Sequence, residues 1–143
     1  MMPLQNTATK VAITPQSLSA AGTATGYVDT LGYEEAAVDF ILDSQAATST
    51  NPAAMALSEG ETTTAFTAIT GFTGDATDGF TIPATQTTPS VTRINVDLRG
   101  RQRYLSLDLT NGGTACLVSA VVTLGKAKDS TLARAQMSGV VDG

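Results

Sequence analysis

Residues 91–124 read VTRINVDLRGRQRYLSLDLTNGGTACLVSAVVTL, and this stretch decides the fold. In its first part Ile94, Val96 and Leu98 alternate with Arg93, Asn95 and Asp97. After the basic turn RGRQR, Leu105, Leu107 and Leu109 alternate with Tyr104, Ser106 and Asp108. A third apolar segment, ACLVSAVVTL, follows Asn111-Gly112-Gly113, residues that tolerate positive φ. Successive side chains of a strand point to opposite faces, whereas a helix needs apolar residues at spacings of three and four. The pattern predicts three antiparallel strands joined as a meander with one oily face, and Leu105, Leu107, Val118 and Val122 as core.

The rest of the chain is read against that stretch. KVAIT (10–14) predicts a first short strand stopped by Pro15. Residues 17–31 suit one irregular strand with a turn at Leu31-Gly32. In 33–45, Ala36, Val38, Phe40 and Leu42 face one way, while Glu35, Ala37, Asp39, Ile41 and Asp43 face the other. Glu34, Glu35 and the Ala pair are good helix formers, but the alternation through VDFILD decides for strand. AAMALSEGE, TTTAFTAITGF and Phe80-Thr81-Ile82 add further short strands, separated by turn-rich loops. About eight strands at roughly ten-residue intervals, with no helical crossover, predict an all-β antiparallel β-sandwich or jelly roll over 10–125. Flexible arms are expected at 1–9 and 126–143, the latter with at most a helical turn or two around Leu132, Ala133, Ala135 and Met137.

Composition narrows the chemistry. Hydrophobic residues make up 42% of the 143, enough for a core, but aromatics are 5% and Trp is absent. The core must therefore come from Val, Leu, Ile and Ala, with Thr suited to outer sheet faces. The absence of His removes Ser-His-Asp and Cys-His catalysis and His-ligated metal together. Cys116 is the single cysteine, set in an apolar strand, and reads as a buried core thiol. The row Glu35, Asp39, Asp43 reads as a solvated face, since a glycosidase would need an aromatic-lined cleft beside its carboxylate pair. Asp75 and Asp78 lack the further oxygen ligands of a calcium loop. An enzyme is not expected, nor a cofactor. No apolar run approaches a membrane span, and MMPLQNTATK lacks a signal-peptide core, so synthesis in the cytoplasm without an export signal is expected.

Charge is uneven along the chain. Residues 1–92 hold nine acids against Lys10, a balance of −8, and residues 93–143 hold seven bases against four acids, a balance of +3. Opposite halves of this kind are able to meet across subunits. Arg99, Arg101 and Arg103 form the one dense basic cluster, read as a charged hairpin tip. A nucleic-acid binder would spread more bases over a face and interleave aromatics, which argues against nucleic acid.

Three phrases, YVDTLGYEEAAVDFILDSQ, PAAMALSEGETTTAFTAITGF and INVDLRGRQRYLSLDLTNGGTACLVSAVVTLGKAKDS, occur in that order. This pattern, over about Tyr27 to Lys128, resembles small head proteins of tailed bacteriophages, several of which look like capsid decoration, or cement, proteins. The resemblance implies a β-sandwich or jelly roll on the outer capsid surface, commonly a homotrimer, with the major capsid protein as partner. No residue role transfers with it. The candidate capsid or subunit contacts are the basic cluster and the terminal segment: Arg99, Arg101, Arg103, Lys126, Lys128, Leu132 and Met137. Two alternatives stand beside decoration: a tail or neck component of the virion, and a ligand- or carbohydrate-binding β-sandwich. The last would show exposed aromatics beside polar groups, for which Tyr27, Tyr33 and Tyr104 are the candidates.

Overall fold

A computed structural model describes residues 6–44, 52–83 and 88–127. These residues form eight strands: β1 (Ala8–Leu18), β2 (Thr23–Asp29), β3 (Glu35–Leu42), β4 (Ala54–Gly60), β5 (Thr67–Thr73), β6 (Ser90–Asp97), β7 (Tyr104–Thr110) and β8 (Cys116–Gly125). They make two four-stranded sheets, sheet A in the order β1-β8-β3-β6 and sheet B in the order β2-β7-β4-β5. Every pairing is antiparallel. Two four-stranded sheets in these orders, with every connection except β4–β5 crossing from one sheet to the other, make a jelly roll.

The alternation that marks the strands also fills the core. Ala36, Val38, Phe40 and Leu42 of β3 are buried, as are Ile94 and Val96 of β6 and Leu105, Leu107 and Leu109 of β7. Val118, Ala120 and Val122 of β8 complete sheet A's inner face, with Cys116 buried beside them. Met55 and Leu57 of β4 and Ile69 of β5 close the other side. Phe40 is the only aromatic among the largest fully buried side chains, so aliphatic packing carries the interior, as the composition requires.

The meander does not form. β6 pairs with β3, β7 with β2 and β4, and β8 with β1 and β3, so none of the three pairs with another. The connections 98–103 and 111–115 cross from sheet to sheet, a gap of about 10 Å, instead of closing tight hairpins. Asn111, Gly112 and Gly113 are not among the positive-φ residues. Instead the buried Asn111 side chain donates through Nδ2 to the carbonyls of Leu18, Ser19 and Thr114, at 3.2, 3.1 and 2.8 Å. Its Oδ1 accepts the Gly113 N–H. One side chain thereby holds the end of β1 against the start of β8.

Three further expectations change. β1 begins at Ala8, inside the expected arm, and continues through Pro15 to Leu18. It can do so because it is an edge strand with register shifts between Val11 and Ile13 and between Ile13 and Gln16, where proline removes no needed ladder bond. The expected single strand over 17–31 divides at a tight turn, where Gly22 N–H donates to Ser19 O at 2.9 Å and Ala21 has φ 58°. Residues 80–82 contribute only an isolated bridge from Phe80 to Gly74, while Ile82 is buried. The expectations for 1–5 and 128–143 lie outside the described residues.

Candidate functional site

Strand direction brings one set of termini together. The C-terminal ends of β2, β4, β6 and β8 and the N-terminal ends of β1, β3, β5 and β7 share one end of the sandwich. The loops 30–34, 61–66 and 98–103 join strands there, and Ala127 N–H donates to Asn6 O at 3.1 Å, so the two described chain ends lie side by side.

This end carries the four described candidate basic residues, and each is paired. Arg99 reaches Asp97 through Nε and Nη2, at 3.0 and 2.8 Å. Arg101 lies 3.3 Å from Glu59, whose other oxygen accepts the Gln102 N–H at 3.0 Å. Arg103 grips Asp29 through Nε and Nη2, at 3.1 and 2.7 Å. Lys126 lies 3.1 Å from Glu35. The three arginines are thus no bare hairpin tip: Arg99 serves sheet A, while Arg101 and Arg103 bind the ends of β4 and β2. Among the described ion pairs, Arg93–Asp39, Arg101–Glu59, Arg103–Asp29 and Lys126–Glu35 each join an acid of the first part to a base of the last. The complementary halves meet inside one chain. Lys128, Leu132 and Met137 lie outside the described residues.

Electrostatics follow these contacts. Hydrogen bonds from Arg99 push the Asp97 carboxyl down to about 2. The Arg103 fork likewise holds Asp29 below the usual carboxylate range, against the opposing effect of partial burial. Lys10 donates to Asp29 O at 3.1 Å, and its partial burial lowers its pKa. Beside sheet A's strand ends lies an open cleft of about 450 Å³, lined among others by Glu34, Glu35, Asn95, Asp97, Arg99 and Lys126.

Two other surfaces stand out. Val11, Ile41, Val91 and Leu117 are exposed large apolar residues on β1, β3, β6 and β8, the four strands of sheet A, with Ile41 directly opposite Val91. On sheet B, Tyr27 is half exposed, and its ring lies 6.2 Å from those of both Phe66 and Tyr104. The Arg103 guanidinium sits 5.0 Å over the Tyr104 ring. Beside this cluster, Thr25 donates to Asp108 at 2.8 Å and Thr23 pairs with Thr110 at 2.9 Å. Tyr33, in contrast, is buried with its hydroxyl unpaired, and burial raises its pKa. Asp75 serves its own loop: Oδ1 accepts the Ile82 N–H at 3.0 Å.

Sequence reading found Tyr27 and Tyr104 but placed Phe66 inside the expected strand TTTAFTAITGF, whereas β5 begins only at Thr67 and Phe66 lies in the 61–66 loop. It also missed Asp29 and Glu59 as partners of the arginines, since 74 and 42 residues separate each pair. Only Asp97, two residues from Arg99, was within local reach.

No protein-family model matches the chain, and no curated protein matches it. Among solved structures it is similar to a family GH115 4-O-methyl-α-glucuronidase, BtGH115A, with specificity for decorated arabinogalactans, at TM-score 0.43 and 8% identity. It is also similar to the CBM22-1–GH10 modules of Clostridium thermocellum endo-1,4-β-D-xylanase 10B, at TM-score 0.42 and 10% identity. The similarity covers 87% and 89% of this chain but 17% and 27% of those two chains.

Proposed function

We propose that this chain is a structural protein of a tailed-phage virion, a decoration protein that binds the outer surface of the head and stabilises it. The observation that carries this reading is the convergence of Arg99, Arg101, Arg103, Lys126 and both described chain ends on one end of a jelly roll. Asn6 and Ala127, the described residues next to 1–5 and 128–143, lie at that end. Such an end offers a shell two kinds of contact. Exposed ion pairs exchange partners at little cost, and short segments of small apolar residues gain burial on a neighbour. The partner is the major capsid protein, and the working form is a homotrimer placed at local three-fold positions. Its subunits meet through the outer side of sheet A, where Val11, Ile41, Val91 and Leu117 stand exposed beside the Arg93–Asp39 ion pair.

The test is compositional and then geometric. Mass spectrometry of purified phage heads from the source is expected to find the chain. Cryo-EM is expected to place it on the outer surface with loop 98–103 toward the shell. Absence from the heads, or density confined to neck or tail, overturns the proposal.

A further inference from the structure

The chain has seven aromatic residues and no Trp, yet three of the seven gather outside the core. Tyr27 of β2 and Tyr104 of β7 have the parity opposite to the buried Val28, Leu105 and Leu107, so they lie on the outer side of sheet B. Loop 61–66 returns Phe66 over the same side: a Cβ on Gly60 would meet the Phe66 ring at 3.0 Å. Pinning of that loop explains Phe66 but not Tyr27, which stands on the edge strand, half exposed.

A line of hydroxyls and a carboxylate continues from the aromatic group along the same side of β2 and β7. Tyr27 stands opposite Ser106, then Thr25 opposite Asp108, then Thr23 opposite Thr110. From residue 27 to residue 23 this strip runs about 13 Å at the usual strand rise. Arg103 and Asp29 neutralise each other, which leaves the Asp108 carboxylate as the remaining charge of the strip. Flat apolar rings followed by hydrogen-bonding groups suit a ligand made of linked rings with apolar faces and hydroxyl edges. That carboxylate argues for a ligand without negative charge.

We propose that the outer side of sheet B binds a neutral oligosaccharide, with Tyr27 stacked on a pyranose ring and Thr25 and Asp108 hydrogen-bonded to the hydroxyls of the next. This activity uses a different surface from the outer side of sheet A and does not depend on capsid binding.

The absence of Trp makes the test direct, since ultraviolet emission then reports tyrosine alone. The full chain is titrated with cellohexaose, maltohexaose, chitohexaose and a β-1,4-galactan fragment, with polygalacturonate as the anionic comparison. Tyrosine emission and backbone amide shifts are followed. The expected result is saturable binding of at least one neutral sugar at a dissociation constant of about 1 mM or tighter. Shifts should be centred on residues 25–27, 66, 104 and 108. Tyr27→Ala should weaken that binding about tenfold, Tyr27→Phe should retain it, and Val91→Ala on sheet A should leave it unchanged. Silence from all four neutral sugars, shifts centred elsewhere, preference for polygalacturonate, or equal binding by Tyr27→Ala each overturns the proposal.

Discussion

Leu107 shows no accessible surface and lies between Gly26 on β2 and Leu57 on β4. Leu107→Ala is expected to cost about 2–5 kcal/mol, read by chemical denaturation, because the rigid sandwich collapses only partly around the space left. Gly26 poses the reverse problem. A Cβ there would stand 1.8 Å from the Ala12 carbonyl oxygen, so the edge strands β1 and β2 approach only because residue 26 has no side chain. Gly26→Ala is expected to destabilise by about 1–3 kcal/mol, as overpacked sites do, and a neutral outcome in the same assay would contradict the close approach. Titration acts on the ion pairs. Asp97 and Asp29 have folded pKa values depressed below their unfolded ones, so their contribution is present above the unfolded pKa and lost as pH falls through the folded value. The melting temperature should therefore fall between pH 3.8 and about pH 2, the window set by Asp97. Both carboxylates are substantially exposed, so added salt should shrink the effect.

Among the strands, position in the sheet matters more than regularity of sequence. β6 has the cleanest alternation in the chain but lies at an edge of sheet A, whereas β3 and β8 lie inside it. Amide hydrogen exchange should be slowest in β3, β4, β7 and β8, and faster in β6, whose outer backbone groups have no strand beside them. Slow exchange across all of β6 would mean that another chain pairs there. In loop 98–103 the anchor is Glu59, not an arginine, since its carboxylate holds both Arg101 and the Gln102 N–H. Glu59→Ala is expected to cost about 1.5–3 kcal/mol, through the lost charge-assisted bond to the backbone. Arg101→Ala should cost under about 1 kcal/mol, as for an exposed pair. Equal losses would show that the ion pair itself, and not the backbone bond, holds the loop.

For the whole molecule, the jelly roll leaves four large apolar side chains exposed on the outer side of sheet A, beside the Arg93–Asp39 ion pair. A homotrimer by light scattering, at three times 14.6 kDa, is the expected state of the full chain. Leu117→Asp and Val91→Asp should each shift it toward single subunits while keeping the β-type circular dichroism, because both residues are more than half exposed in the single chain. A mass near 14.6 kDa for the unaltered protein at micromolar concentration would remove the trimer from the proposal.

Sequence alone determined that the chain is built of strands and which side of β3, β6 and β7 is oily, but not every strand's bounds. Alternation at Ala36–Leu42, Ile94–Leu98 and Leu105–Leu109 is a local signal, because side chains two apart share a face whatever lies beside them. It carries no record of neighbours. The three strands of 91–124 therefore looked like a meander, and only tertiary packing sent β7 to the opposite sheet from β6 and β8. The candidate site divides in the same way. Arg99, Arg101 and Arg103 were visible as a cluster because they are close in sequence. Their neutralisation by Asp97, Glu59 and Asp29, and the meeting of Tyr27, Phe66 and Tyr104, depend mostly on contacts across tens of residues. Such contacts exist only once two sheets have closed on a shared core, since hydrophobic burial sets that arrangement and polar groups pair with whatever it brings within reach.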